Sequence, residues 1–300
     1  MAYSIDEFHT DYTRHRARQL ATFWTVAVLL LALTWATGQL AGFFRVTQLT
    51  LADGSRAEAW VLAAGLPRLG EYIEKTIPVL RVESIGADFA EWFWRWKTWA
   101  RLLLETVLIG FLATFFGVTG GLLLSFTAAR NLAPARWIFW ATRRTLEIAR
   151  TVPELVWALI FVFCFGVGPL AGVLAIAMHS TGALGKLYSE ANENIDMRPV
   201  EGVKAAGGSW ADQMRWGVLP QVIPNVISYT LLRFEINVRS SSIIGYVGAG
   251  GLGQELRTAI SLQEYTNLSA LFLIIFATVM VIDWASEKLR HRIIGLGKTA

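Results

Sequence analysis

Pro199-Val-Glu-Gly-Val-Lys-Ala-Ala-Gly207, followed after an interval by Gly217-Val-Leu-Pro220, is a polar island between two stretches apolar enough to enter a membrane. Its alanines and glycines leave a helix face open to close approach. Pro220 lacks a backbone donor and fits the first turn of the next helix. The pattern reads as a short docking element in a solvated connection.

Composition sets the surroundings of that island. The 300 residues are 54% hydrophobic and 17% charged, with a mean hydropathy of +0.44. A soluble domain carries about a quarter charged residues, so one large membrane domain is expected rather than two soluble ones. Long apolar runs such as 268–285 suit helices, which satisfy their own backbone hydrogen bonds, and not the short alternating strands of a barrel. The fold class expected is an all-α polytopic membrane protein. A net charge of +4 is too small to imply nucleic-acid binding and matches basic loops at a membrane. Cys164, the only cysteine, sits in an apolar run and is expected to be buried and inert.

Outward from the island, basic residues set the topology. Arg14, His15, Arg16 and Arg18 close a cytoplasmic segment over 1–19, and a retained first crossing follows at 20–40. Residues 41–101 form an extracytoplasmic excursion. It ends in Glu91-Trp-Phe-Trp-Arg-Trp-Lys-Thr-Trp99, expected as a lateral helix at the lipid headgroups. The main membrane domain covers 102–292. Crossings are expected near 102–126, 146–165, 170–187, 218–238 and 268–285, giving about six in all with both termini cytoplasmic. The acid-free basic run Arg130, Arg136, Arg143, Arg144 places its connection in the cytoplasm, and Gly166-Val-Gly-Pro169 makes a short external turn. A cytoplasmic tail is expected at 293–300.

The polar exceptions inside these crossings are the candidate path residues. His179, with Ser180 and Thr181, serves either a helix-packing hydrogen bond or the transport path. Arg233, Glu235, Asn237 and Arg239 interrupt a crossing and must face a polar passage, pair within the bundle or reach the interface. An anionic solute would be steered by Arg233 or Arg239, with Asn237, Ser240, Ser241 and Ser242 supplying hydrogen bonds. Glu147, Arg150 and Glu154 read as helix-end pairing at one-turn spacing. Gly248-Ala-Gly-Gly-Leu-Gly253 lacks the strand and acidic continuation of a dinucleotide fingerprint and reads as a close-packed turn or re-entrant corner. No Walker lysine motif and no zinc-spaced His/Cys cluster occurs, so no cofactor or metal is expected on this chain.

From about residue 100 to 292 the chain resembles the membrane domain of binding-protein-dependent ATP-binding-cassette (ABC) importers, specifically the phosphonate transport permeases. The resemblance rests on His179 to Leu187, Pro199 to Gly207, Gly217 to Pro224, Arg233 to Ser240 and Val247 to Gly253, in that order. It implies a type I ABC importer permease fold. It also implies a second permease copy, two cytoplasmic ATPases carrying ATP and magnesium, and an extracytoplasmic solute-binding protein, all in the bacterial inner membrane and its lipid. By the resemblance, 199–220 is the coupling segment. Glu201 would cap it or make charged contacts, and Gly202, Val203, Lys204, Ala205, Ala206 and Gly207 would seat it on the ATPase. Leu219 and Pro220 would lead into the next crossing. Gly202, Val203 and Gly217 depart from the usual pattern. The implied activity is passage of phosphonates or related phosphorus oxyanions, without ATPase activity in this chain. The alternatives are a permease for phosphite, phosphate or another small solute, and a membrane-embedded enzyme.

Overall fold

A computed structural model describes residues 5–42, 46–50, 56–78 and 81–296, and the chain divides into two compact units, 1–75 and 76–300. The first contains α1 (Ile5–Leu40), an antiparallel hairpin of β1 (Val46–Thr50) and β2 (Arg56–Trp60), and α2 (Val61–Thr76), which runs to its boundary. In α1 the hydroxyls of Thr22, Thr25, Thr34 and Thr37 donate to carbonyls four residues earlier at 2.7–2.9 Å. Their polarity is thereby hidden within an apolar helix. The hairpin was not expected from the sequence. Both terminal segments expected in the cytoplasm reach outside the described residues, at 1–4 and 297–300.

The second unit is helical: α3 (Ile85–Trp92), α4 (Trp96–Ala128), α5 (Arg136–Thr151), α6 (Glu154–Phe165), α7 (Pro169–Glu193), α8 (Arg198–Ala205), α9 (Trp210–Asp212), a π-helical turn (Gln213–Val218), α10 (Leu219–Ile244), a 3-10 turn (Gly245–Val247), α11 (Leu252–Ser261) and α12 (Tyr265–Leu296). Its axis is the pairing of α4 with α7. Thr106, Gly110, Thr114, Gly117, Gly121 and Ser125 form a buried stripe at helical spacing on α4. A Cβ on Gly117 would lie 2.6 Å from Ser180 Cβ, and one on Gly121 2.9 Å from the Gly185 backbone nitrogen. Small residues thus bring two backbones together, which is how helices associate where lipid removes the usual hydrophobic drive.

Among the described residues, four helical segments are long and apolar enough to cross a membrane: 18–40, 96–128, 169–193 and 265–292. The helices α5 and α6 qualify only together, as a pair bent by 90°, which raises the number to five. The expected six are therefore not all seen on this measure. The sixth candidate, α10, is 26 residues long but carries Arg233, Glu235, Asn237 and Arg239. The segment expected to cross over 146–165 is bent by 90°. Val152 and Pro153 are extended, at ψ 123° and 143°, because proline disfavours a helical residue before it and lacks the N–H to continue the ladder.

Two further expectations are revised. The Glu91–Trp99 stretch is not one lateral helix; it spans the end of α3, a turn and the first residues of α4. Trp92 Nε1 donates to Ser269 Oγ (3.1 Å), Trp94 Nε1 to Asn267 Oδ1 (3.0 Å), and Trp99 is fully buried. Cys164 is exposed on α6 beside the outward Phe163. In a membrane helix an apolar run need not face a core, because lipid can cover it.

Candidate functional site

Four helices bring polar residues to one place. Arg233 on α10 donates from Nη2 to Glu154 Oε1 on α6 (2.5 Å) and from Nε to Ser180 Oγ on α7 (3.0 Å). Ser180 Oγ donates to Asn237 Oδ1 (3.0 Å), and Asn237 Nδ2 donates to Thr114 Oγ1 on α4 (2.9 Å). Thr114 ends the chain by donating to the Gly110 carbonyl at 2.7 Å. His179 stands beside it, with Nδ1 3.2 Å from the Val152 carbonyl and Nε2 3.8 Å from Glu154 Oε1.

The network lies deep along each helix. At 1.5 Å per residue, Thr114, Ser180 and Arg233 sit about 17–27 Å from either end of α4, α7 and α10. A roughly 30 Å hydrocarbon layer therefore places them well inside it. Ser180 and Asn237 are fully buried, while the side chains of Arg233, Glu154 and His179 retain 11%, 16% and 20% exposure. An isolated charge there is costly, so the ion pair and its hydrogen bonds form the only economical arrangement. The break at Val152–Pro153 delivers both the free carbonyl that holds His179 and the first residue of α6, Glu154.

Of the candidate path residues, the structure joins Ser180, Arg233 and Asn237 directly, with His179 beside them. Thr181 stays outside, its Oγ1 bonded to the Ala177 carbonyl at 2.8 Å on the face that meets Gly120. Glu235 and Arg239 form a separate group with Asp283 of α12, at 3.4 Å for each pair. Ser241 and Ser242 are buried and bond to backbone: Ser241 Oγ to the Thr106 and Val238 carbonyls, Ser242 Oγ to Val238 at 3.5 Å. Ser240 is partly buried next to them. The expected pairing within Glu147, Arg150 and Glu154 does not form. Glu147 pairs with Arg144 (2.5 Å), and the bend turns Glu154 away to Arg233. Thr114 was not among the candidate path residues. Glu154's role has one sequence signal, a carboxylate directly after proline in an apolar run.

The glycine corner closes around its own backbone. Gly248, Gly250 and Gly251 have φ of +97°, +87° and +71°, a region that glycine adopts without steric cost. Gly251 N donates to Glu105 Oε1 (3.2 Å) and Leu252 N to Thr106 Oγ1 (2.8 Å). Two of the donors a phosphate cradle would need are thus taken internally.

The stretch expected as a docking element is the exposed helix α8. Glu201, Gly202, Lys204, Ala205, Ala206 and Gly207 are exposed and Val203 is half-buried. Val200 anchors the opposite face, 4% exposed, in a cluster with Phe126, Leu184, Tyr188 and Val218. Gly217 is glycine because a Cβ there would lie 2.8 Å from Val200 Cα. Leu219 packs partly against the same cluster, and Pro220 occupies the first turn of α10. Gly207 ends the element with φ +83° while its N–H meets the Lys204 carbonyl. A Cβ on it, or on Gly202, would meet nothing within 4 Å. Gly207 is thus needed first for the turn, and Gly202 is the more open position on the helix itself.

The binding-protein-dependent transport system inner membrane component family matches residues 121–294. The phosphite transport system permease protein PtxC of Stutzerimonas stutzeri is 37% identical over 253 residues, 84% of this chain and 88% of that protein. The phosphate-import permease protein PhnE of Mycolicibacterium smegmatis is 38% identical over 190 residues, 63% of this chain and 36% of that protein. Two solved structures share the fold: an inward-facing MetNI methionine ABC transporter (TM-score 0.55, 20% identity, 65% of this chain and 95% of that one) and a bacterial ABC transporter involved in alginate import (TM-score 0.56, 14% identity, 93% and 99%). This chain belongs to the binding-protein-dependent transport system inner membrane component family, as a transport permease subunit homologous to phosphite and phosphonate ABC permeases and not an enzyme itself.

Proposed function

We propose that this chain forms the membrane path of an ATP-driven importer for a phosphorus oxyanion, with phosphite ahead of phosphate and phosphonates. The observation that carries this reading is the likeness to the phosphite permease over most of both chains. It shifts the preference away from the phosphonate that the sequence motifs alone favoured. A polar network deep in the helices supports a path for an anion, since charged groups there are kept where solute or ion passes. Neither arginine waits free, because Arg233 is paired with Glu154 and Arg239 with Glu235 and Asp283.

The complex contains a second copy of this chain, two ATPases carrying ATP and magnesium, and an external solute-binding protein. In the bacterial inner membrane α10 and the bent pair α5–α6 complete six crossings, with both termini in the cytoplasm. There α8 docks on the ATPase. Closure of the ATPases on ATP swings α8, and the π-helical turn and Leu219 pass that motion into α10, which carries Arg233.

Reconstitution with the ATPase and binding protein tests the reading through uptake of phosphite, inorganic phosphate and methylphosphonate, with D-methionine as the comparison solute. ATP-dependent uptake of at least one phosphorus oxyanion is expected. Uptake of D-methionine alone, or equal uptake without the ATPase, contradicts it.

A further inference from the structure

We propose that Glu154 is a tethered stand-in for the transported anion: it occupies Arg233 when the site is empty, gives way to the oxyanion, and moves to His179 together with one proton. The inference rests on the oxyanion reading above and adds the exchange that takes place at that site.

The geometry supplies each part. A carboxylate oxygen on Arg233 Nη2 at 2.5 Å uses the contact that a phosphite or phosphate oxygen would take. Ser180 Oγ, fixed between Arg233 Nε and Asn237 Oδ1, holds the guanidinium in place while its other face changes partner. Arg233 and Glu154 keep slight exposure, whereas Ser180 and Asn237 have none. The exchangeable pair is therefore the part of the network that this chain leaves unsealed. Glu154 also sits at the first residue of α6, next to the break, where a small rotation of one short helix moves it.

The charge balance sets the destination. An incoming anion displaces Glu154 and leaves two negative groups around one guanidinium in a low-dielectric interior. Glu154 from α6 faces His179, with Arg233 from α10 bonded to the same Glu154 oxygen; Arg150 from α5 packs against α7 one turn on at Gly182, and the break after α5 contributes the Val152 carbonyl. That carbonyl can only accept, so Nδ1 carries the imidazole hydrogen and neutral Nε2 is bare. Nε2 is 3.8 Å from Glu154 Oε1. Two acceptors face each other, and only an added proton lets them bond. One proton therefore comes from the water on the open side as the anion binds, is shared between Nε2 and Glu154, and returns to water when the anion leaves and Glu154 re-pairs with Arg233.

The test uses the full-length permease in lipid nanodiscs, titrated calorimetrically with phosphite in buffers of different ionisation enthalpy. Wild type should take up about one proton per anion bound. Glu154→Gln removes the competitor, so phosphite should bind about tenfold more tightly and without proton uptake. Arg233→Gln should lose binding, and His179→Gln should bind more weakly with no proton taken up. Glu154→Asp keeps the charge and should keep the proton, which covers a failure of Glu154→Gln to fold. Weaker phosphite binding by Glu154→Gln, or an unchanged proton count in it, overturns the exchange. If the reconstituted wild-type complex transports phosphorus oxyanions while these binding results fail, only the exchange is lost. If it transports none, the substrate reading falls and the exchange with it.

Discussion

Asn237 shows how tightly single residues are committed in this interior. Both ends of its amide are used, Oδ1 by Ser180 and Nδ2 by Thr114, and the side chain is fully buried. Removing one partner of a buried hydrogen bond costs about 1–3 kcal/mol, more than the net gain from a typical bond. Asn237→Ala should therefore destabilise the detergent-solubilised permease by about that amount, read as a lowered thermal midpoint; an unchanged midpoint contradicts the network. At this scale the sequence was half legible. His179, Ser180, Arg233 and Asn237 stand out as polar groups in apolar runs, and their periodicity puts them inside. Glu154 was read with Arg150 because one-turn spacing assumes an unbroken helix. Its partner lies 79 residues away, and no local pattern carries that contact. Ser241 and Ser242 show a related limit, since both bond to backbone carbonyls. A serine in a membrane helix can satisfy itself on a backbone carbonyl, which composition cannot reveal.

Among the elements, the proposed mechanism rests on the elbow at Val152–Pro153 and on α8. Pro153 was visible in the sequence, but a proline predicts either a kink or a stop, and the 90° angle depends on what α6 packs against. α8 was legible because solvent exposure and small residues agree. The glycine roles within it were not, since φ is a property of the turn. Gly202→Trp should leave the permease folded and weaken ATPase binding at least about tenfold, measured by co-purification and titration of the ATPase. Full binding places the contact elsewhere. Gly207→Val forces a branched residue to φ +83°, at a cost of about 1–2 kcal/mol. It should lower stability as well as attachment, which separates the two glycines.

The next element, α9, adds a pH signature. Ser209 Oγ and N–H bond to Asp212 Oδ2 at 2.5 and 2.9 Å, and Asp212 N–H returns a bond to Ser209 Oγ. The Ser209 bonds, with a smaller contribution from Arg215, hold the Asp212 carboxyl below its ordinary 3.8. A group whose folded value is depressed stabilises above the unfolded value and loses that contribution as pH falls through the folded one. Hydrogen exchange over 209–213 should be unchanged from pH 7 to 5 after correction for intrinsic rates, and should rise below 3.8. A rise near pH 6 would point to another group.

For the whole molecule, composition alone identifies a helical membrane protein. The count is less legible, because the two segments that depart from a plain apolar helix, α5–α6 and α10, are those that build the polar network. Function therefore blurs the very signal used to find crossings. Reporters fused to each terminus should face the same side, as six crossings require, and that side should be the cytoplasm as proposed; opposite sides would make the count odd. The most direct test of the central claim compares ATP hydrolysed with phosphite accumulated in proteoliposomes containing the complete importer, wild type and Arg233→Gln side by side. The account predicts coupled, ATP-dependent accumulation in wild type, and an Arg233→Gln complex that assembles and hydrolyses ATP while accumulating at most about a tenth as much phosphite. Undiminished accumulation by the assembled variant would contradict an oxyanion path through Arg233.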